Sequence, residues 1–304
     1  MKQDMIDHDA PPRDATMRED QRGAAFQESG TQETIARPPA GEIATLSVII
    51  ITRNEAHNVG DCIASIHPLA HEIVVVDSGS TDDTISIART AGATVIETSD
   101  WPGFGPQKNR ALSYATGEWV LSLDADERVT DAGRAELAAI LTAPRTASPP
   151  CAAYALPRLS QFCGRWVRHS GWYPDHVTRL FRRGTARFSD DLVHERIDVE
   201  GTVERLREPL HHYSYLDRKQ VEDKIDRYAQ AGAEQMFQRG KHYGPLKPYL
   251  AGGWAWIRTW ILRAGFLDGA AGAGIAAMNA RSTAQKYLRL RVMRQKRMPP
   301  CGCG

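Results

Sequence analysis

Trp119-Val-Leu-Ser-Leu-Asp-Ala-Asp126 runs a short apolar-rich strand straight into two carboxylates separated by one small residue. A strand of this kind ends where a sheet meets solvent, so Asp124 and Asp126 are expected at a sheet edge. There they suit one hard divalent cation, because such ions take oxygen ligands and share them with substrate phosphates. An Asp-x-Asp alone is a weak signal, since any exposed loop can carry two acids. Its weight comes from what surrounds it.

Three more buried-looking strands precede it. Leu46-Ser-Val-Ile-Ile-Ile-Thr52, Glu72-Ile-Val-Val-Val-Asp77 and Ala93-Thr-Val-Ile-Glu97 are nearly continuous apolar runs, as strands covered on both faces are. Helical stretches fall between them. One runs from about Ala56 to His67, and one to about Ala91 opens on Ser80 and Asp83 at capping-box spacing. Another follows Pro106, a first-turn proline, through Ala115. Alternating strands and helices predict an α/β fold with a mostly parallel sheet and right-handed crossovers. In such a sheet the loops after the strands open on one edge, where ligands bind. Arg53-Asn54-Glu55, Asp77-Ser78-Gly79-Ser80 and Asp124-Ala125-Asp126 therefore converge on one crevice.

Composition narrows the function classes. The 304 residues carry a formal net charge of +1, which argues against a general nucleic-acid binder. There is no G-x-G-x-x-G after the first strand and no G-x-x-x-x-G-K-[ST], which argues against a dinucleotide dehydrogenase or a P-loop enzyme. Any bound phosphates would be countered by a cation on Asp124 and Asp126, with Lys108 and Arg110 near the start of the helix at Pro106. Cys62, Cys151, Cys163, Cys301 and Cys303 have no C-x-x-C spacing and read as reduced thiols of a cytoplasmic protein. Residues 1–44 are polar, lack the apolar core of a signal peptide and read as a disordered extension. No 18 apolar residues run together.

Ser47-Val-Ile-Ile-Ile-Thr-Arg-Asn-Glu55, Val76-Asp-Ser-Gly-Ser-Thr-Asp82, Gly105-Pro-Gln-Lys-Asn109 and Leu123-Asp-Ala-Asp-Glu127 resemble the successive motifs of family 2 inverting glycosyltransferases with a GT-A, Rossmann-like fold. Trp101-Pro-Gly-Phe-Gly105, Gly171-Trp-Tyr-Pro-Asp175, Arg179-Leu-Phe-Arg-Arg183, Val193-His-Glu195 and Gly265-Phe-Leu-Asp-Gly269 resemble the branch containing bacterial lipopolysaccharide-core β-glucosyltransferases. The resemblance spans roughly residues 45–290. It implies that Thr52 and Glu55 lie beside the nucleoside and that Asp77 accepts a hydrogen bond from the base, uracil. It places Lys108 near the nucleotide, Asp124 at the ribose or metal, and Asp126 on Mg²⁺ or Mn²⁺ bridging the diphosphate. The implied partners are a UDP-sugar donor and a lipid-linked glycan acceptor. The implied domains are a nucleotide-sugar half (45–130) and an acceptor half (150–215) of one domain, a helical tail (216–297) and a flexible end (298–304).

The acceptor half reads as short strands: Ala153-Tyr-Ala-Leu-Pro157, Val177-Thr-Arg-Leu-Phe181, and a hairpin from Arg187 to Val199. An inverting transferase needs a carboxylate within reach of the acceptor hydroxyl. Glu195 and Asp175 are the candidates, and Asp190 and Asp191 fit a solvated hairpin turn. His194 is either a metal ligand or a packed strand histidine. The adjacent His211 and His212 point apart in a strand and read as structural, and Glu127 reads as a solvated strand-end acid. Arg179, Arg182 and Arg183 alternate, so some face solvent and one is available for the diphosphate.

In the tail, Asp217 suits the cap of a helix to about Arg239. Leu250, Trp254, Ile257 and Ile261 share one helical face, with Trp256 and Trp260 alongside. With the basic run from Arg281 to Arg297, this segment reads as peripheral on the inner, anionic face of the cytoplasmic membrane, or else as a helix packed on the domain. Two other classes stand beside the transferase. One is a phosphatase using Asp124 as nucleophile and Asp126 as acid; the other is a catalytically idle nucleotide-sugar-binding protein.

Overall fold

A computed structural model describes residues 43–143, 151–189, 196–214 and 218–297 of the chain. The first half follows the predicted alternation: β1 (Leu46–Thr52), α1 (Val59–Ile66), β2 (Glu72–Asp77), α2 (Thr84–Thr90), β3 (Thr94–Glu97), α3 (Phe104–Ser113) and β4 (Trp119–Asp124). Their strands are parallel in the order β3-β2-β1-β4, with Thr52 beside Asp77 and Ile51 beside Asp124. That register brings the three polar loops to one edge. The strands form because both faces are covered. Val48, Ile50, Val75, Leu121 and Leu123 pack with α1 through Val59, Cys62, Ile63 and Ile66. Ile49, Val74, Val76 and Val120 pack on the other face against Ala111 and Ala115.

Past Asp126 the chain does not go straight to solvent. β5 (Glu127–Val129) leads into α4 (Asp131–Thr142), whose start is capped by Thr130 Oγ1 accepting from Gly133 N at 3.0 Å. β6 (Ala153–Phe162), β7 (Arg165–Trp166), β8 (Asp175–Arg182), β9 (Ala186–Phe188), β10 (Ile197–Val199), β11 (Val203–Arg205) and β12 (Leu210–His212) follow. The sheet continues from β4 through β8, β6 and β12 to β5, so β5 closes its far edge. β8 is antiparallel to both β4 and β6, and β5 is antiparallel to β12. The short strand expected at Ala153–Pro157 thus runs on to Phe162, where hydrogen bonding on both sides sustains ten residues.

β9 and β10 pair as the expected hairpin, but its connection, residues 190–195, lies outside the described residues. The tail is helical: α5 (Arg218–Gln238), α6 (Lys247–Ile257), a π turn at Arg258–Leu262, a 3-10 turn at Gly265–Asp268, and α7 (Gly269–Arg297). Asp217, the expected cap of α5, lies outside the described residues. The capping box expected at Ser80 is not formed. Ser80 instead donates to Asp77, and α2 begins at Thr84, four residues later than that capping position.

Candidate active site

The crevice is built by stitching the loops after β1 and β2. Asn54 sits in the left-handed region at φ 56°, a conformation its short polar side chain tolerates. From there its N–H donates to Ser80 Oγ (2.8 Å) and its Oδ1 accepts from Thr81 N (2.8 Å). Glu55 N donates to Thr84 Oγ1 at 2.8 Å. Beneath them Asp77 is fully buried. It accepts from Thr52 Oγ1 (2.7 Å), Ser80 N (2.7 Å) and Ser80 Oγ (2.5 Å). Asp77 thus builds the turn, and both of its oxygens are already engaged there.

The loop after β4 meets this pair. Glu55 is half-buried; burial pushes its carboxyl up against the opposing hydrogen bond from Asn58, and the nearby Asp126 charge pushes the same way as burial. The loops after β1 and β4 are therefore within electrostatic reach, as the expected convergence requires.

The acids of this loop take separate roles. Asp124 accepts from Lys108 Nζ on Oδ1 (2.8 Å) and from Arg179 Nη2 on Oδ2 (2.5 Å). Arg179 also donates to Glu127 Oε1 at 2.6 Å, and Arg158 Nη1 lies 3.9 Å from the same oxygen. Arg158 in turn is ion-paired to Asp175. Glu127 is wholly buried and accepts from Asp124 N at 3.1 Å, so it is not the solvated strand-end acid expected of it. Its burial follows from β5 pairing with β12, a contact between residues far apart in sequence.

Arg179 is buried in this network, where the sequence left it open to solvent or to the diphosphate. Arg182 pairs with Glu118, Arg183 donates to Gly117 O, and Arg110 is forked onto Asp100. Lys108 does face the site, through Asp124.

Asp126 stands apart from that cluster. His212 Nε2 lies 3.3 Å from Asp126 Oδ2, while His212 Nδ1 is bonded to Ser160 Oγ at 2.9 Å. Nε2 is buried and has no well-aligned hydrogen-bond partner among the described residues. Burial holds His212 below its usual pKa, against the pull of Asp126, so the ring is a neutral imidazole at neutral pH. Burial would raise the Asp126 carboxyl, but His212 beside it outweighs that and keeps it below the usual range.

A carboxylate beside a buried imidazole nitrogen fits a divalent cation, which takes carboxylate oxygen and neutral imidazole ligands. Ser160 on the other ring nitrogen would orient the ring as outer-sphere partners do. Among the described residues no group of three or more His, Cys, Asp or Glu is placed to hold a metal ion, so Asp126 and His212 would supply two ligands at most. Of the other residues expected at the cation, Asp124 is held by Lys108 and Arg179. His212, read as structural, lies beside Asp126, and His194 and Glu195 lie outside the described residues.

The family described as Glycosyl transferase family 2 matches residues 47–157. The chain is 29% identical over 233 residues to the glycosyltransferase RP128 of Rickettsia prowazekii, covering 74% of this chain and 79% of that protein. It is 34% identical over 207 residues to the lipopolysaccharide core biosynthesis glycosyltransferase LpsC of Rhizobium meliloti, covering 64% of this chain and 73% of LpsC. Among solved structures, the mannosyltransferase PcManGT from Pyrobaculum calidifontis, in complex with GDP-Man and Mn²⁺, superposes with a TM-score of 0.46 at 20% identity. That match covers 84% of this chain and 88% of the other.

Proposed function

The chain belongs to glycosyltransferase family 2, and on that premise we propose that it transfers glucose from UDP-glucose to a hydroxyl of a lipid-linked glycan of the lipopolysaccharide-core kind, with inversion. The observation that carries this reading is the Asp126–His212 pair at the sheet edge, where a carboxylate lies 3.3 Å from a buried imidazole nitrogen. The 34% identity to LpsC supports the class of acceptor.

Asp126 and His212 would hold Mg²⁺ or Mn²⁺, whose positive charge stabilises the diphosphate as it leaves. The remaining work falls to the chain's own side chains. Lys108 and Arg179 fix Asp124, so that it is a rigid acceptor for a ribose hydroxyl. Thr52, Glu55 and Asp77 form the floor where the nucleoside sits. A carboxylate takes the proton from the acceptor hydroxyl as that oxygen bonds to the anomeric carbon and the nucleoside diphosphate departs.

Glu195 is assigned as that base, with Asp175 second. The strands flanking residues 190–195 rise beside Lys108, whose Nζ lies 5.6 Å from the Phe188 ring centre, and Asn109 makes two hydrogen bonds to the Phe188 backbone. Asp175 is already engaged by Arg158.

Titration of UDP with and without Mn²⁺, in wild type and Asp126→Ala, tests the reading. Wild type should bind more tightly with the metal, and the variant should lose that gain by a factor on the order of 100. Equal affinity in all four cases would remove the metal from the site.

A further inference from the structure

Deletion of acid from one end of the chain is pronounced. From Arg239 to Arg297 lysines and arginines recur, and the single acid is Asp268. That acid is spent internally. Its carboxylate, on the 3-10 turn, accepts from Arg168 N (3.0 Å), His169 N (3.1 Å) and Ser170 Oγ (2.9 Å), with His169 Nδ1 at 3.1 Å. Ser170 N donates to Arg263 O at 2.8 Å, and the Arg263 side chain lies so close over Gly171 that a Cβ there would sit 2.5 Å from it. The clamp bolts the turn between α6 and α7 to the loop that leads into Asp175.

The same turn exposes large apolar side chains. α6 packs one face on α7, where a Cβ at Gly252 would meet Ala280 O at 3.0 Å and Ala284 Cβ at 3.3 Å. Its other face and the two turns after it carry Leu250 (68% exposed), Trp254 (56%), Leu262 (64%) and Leu267 (60%), with Ile261 and Phe266 beside them. A contiguous apolar surface of this kind marks a partner. No single described helix is long and apolar enough to cross a membrane, and the α6–α7 pair is bent by 73° at this turn.

We propose that this wedge, α6 with the π and 3-10 turns, docks into the headgroup region of an anionic bilayer and holds the loop before Asp175 at the lipid surface. Charge chooses this occupant over a second copy of the chain. Two such faces brought together would set Lys247 and Arg258 of each copy against one another, and Asp268, the one acid between Arg239 and Arg297, is already engaged in the clamp. An anionic surface receives the apolar wedge and its basic flanks together. A cavity of about 570 Å³ beside the start of α6, lined by Tyr243, Tyr287, Arg291 and Arg294, adds a cationic recess suited to a phosphate headgroup.

The proposal deepens the lipid-linked acceptor reading, but its test needs neither donor nor acceptor. Flotation is measured with phosphatidylcholine vesicles and with vesicles containing phosphatidylglycerol, at low and high salt. The proteins are wild type, Leu262→Glu and Leu267→Glu, both exposed positions whose unchanged melting temperature confirms folding. Wild type should float with the anionic vesicles at low salt, and each variant should partition about tenfold less or worse. Wild type that stays in solution with anionic vesicles overturns the proposal, as do variants that float equally well. A wild-type dimer that either variant dissociates would assign the wedge to a second copy instead. Failure here leaves UDP binding unaffected, so the sugar-transfer reading stands or falls separately.

Discussion

Replacing Arg179 by methionine should be among the most damaging single changes to this fold, although Arg179 touches no substrate in the proposed reaction. Its side chain is 4% exposed and bridges Asp124 at 2.5 Å and Glu127 at 2.6 Å. Methionine fills much of the volume but leaves both acids short of a cation. Asp124 keeps Lys108 at 2.8 Å, and Glu127, with 0% of its side chain exposed, has Arg158 at 3.9 Å. Removing one partner from a buried ion pair costs about 3–5 kcal/mol, because the desolvated charge that remains is uncompensated. At roughly 2–4 °C per kcal/mol that is a fall in melting temperature of roughly 6–20 °C.

The loss should be partly reversed by Arg179→Met combined with Glu127→Gln, since the amide removes the stranded charge. Urea unfolding of the wild type, both single variants and the double variant completes the cycle. A cost for Arg179→Met under about 1 kcal/mol, or a double variant no more stable than Arg179→Met alone, would refute the assignment of Arg179 and Glu127 as one buried charge pair.

Glu72 gives a pH-dependent test at the other end of the strands. It accepts from Ser47 Oγ (2.5 Å), Thr116 N (2.6 Å) and Thr116 Oγ1 (2.8 Å); burial pushes its carboxyl up, but these bonds outweigh that and hold it below the ordinary 4.5. Its contribution is therefore complete above about pH 4.5 and lost as pH falls through the lower folded value. Glu72→Gln should cost about 1–3 kcal/mol at pH 7 and less at pH 3, and an equal cost at both would contradict this. For the chemistry, Glu195→Gln should lower turnover by about 10²–10⁴ while UDP binding persists. An active Glu195→Gln beside an inactive Asp175→Asn would exchange the two roles.

The parallel half was legible because its information is local. β1, β2 and β4 are covered on both faces, so their apolar runs mark their limits almost to the residue. The loops that follow them carry Asp77, Glu55 and Asp126 to one edge by the geometry of parallel pairing alone. The far half was less legible because its determinants are pairings between distant residues. Nothing near Glu127 announces that β5 turns back against β12, and that pairing alone converts a strand-end acid into a buried one. Arg158 and Asp175 likewise meet only because β6 and β8 register them as partners, across a strand that also contains Pro157. In the tail, the shared face of Leu250, Trp254, Ile257 and Ile261 was visible in the spacing. The π turn that breaks it, and the Asp268 clamp that anchors it, were not.

The two adjacent histidines turn that register into a discriminating prediction. In β12, His211 stands opposite Arg128 and His212 opposite Glu127, and Tyr213 N donates to Asp126 O at 2.9 Å to fix the alignment. Side chains alternate along a strand, so only one of the pair can face Asp126. His211 stacks on Trp166 at 4.3 Å on the other side, whereas His212 brings Nε2 to the carboxylate. The sequence alone shows that the two point apart, but which one faces the crevice depends on the pairing with β5. His212→Ala should therefore abolish the Mn²⁺-dependent gain in UDP affinity, and His211→Ala should leave it intact. Calorimetric titration of UDP into each variant, with Mn²⁺ and with chelator, separates them. Loss of the metal effect in His211→Ala with retention in His212→Ala would mean that β12 is shifted by one residue, and the cation pair would have to be rebuilt on the other face.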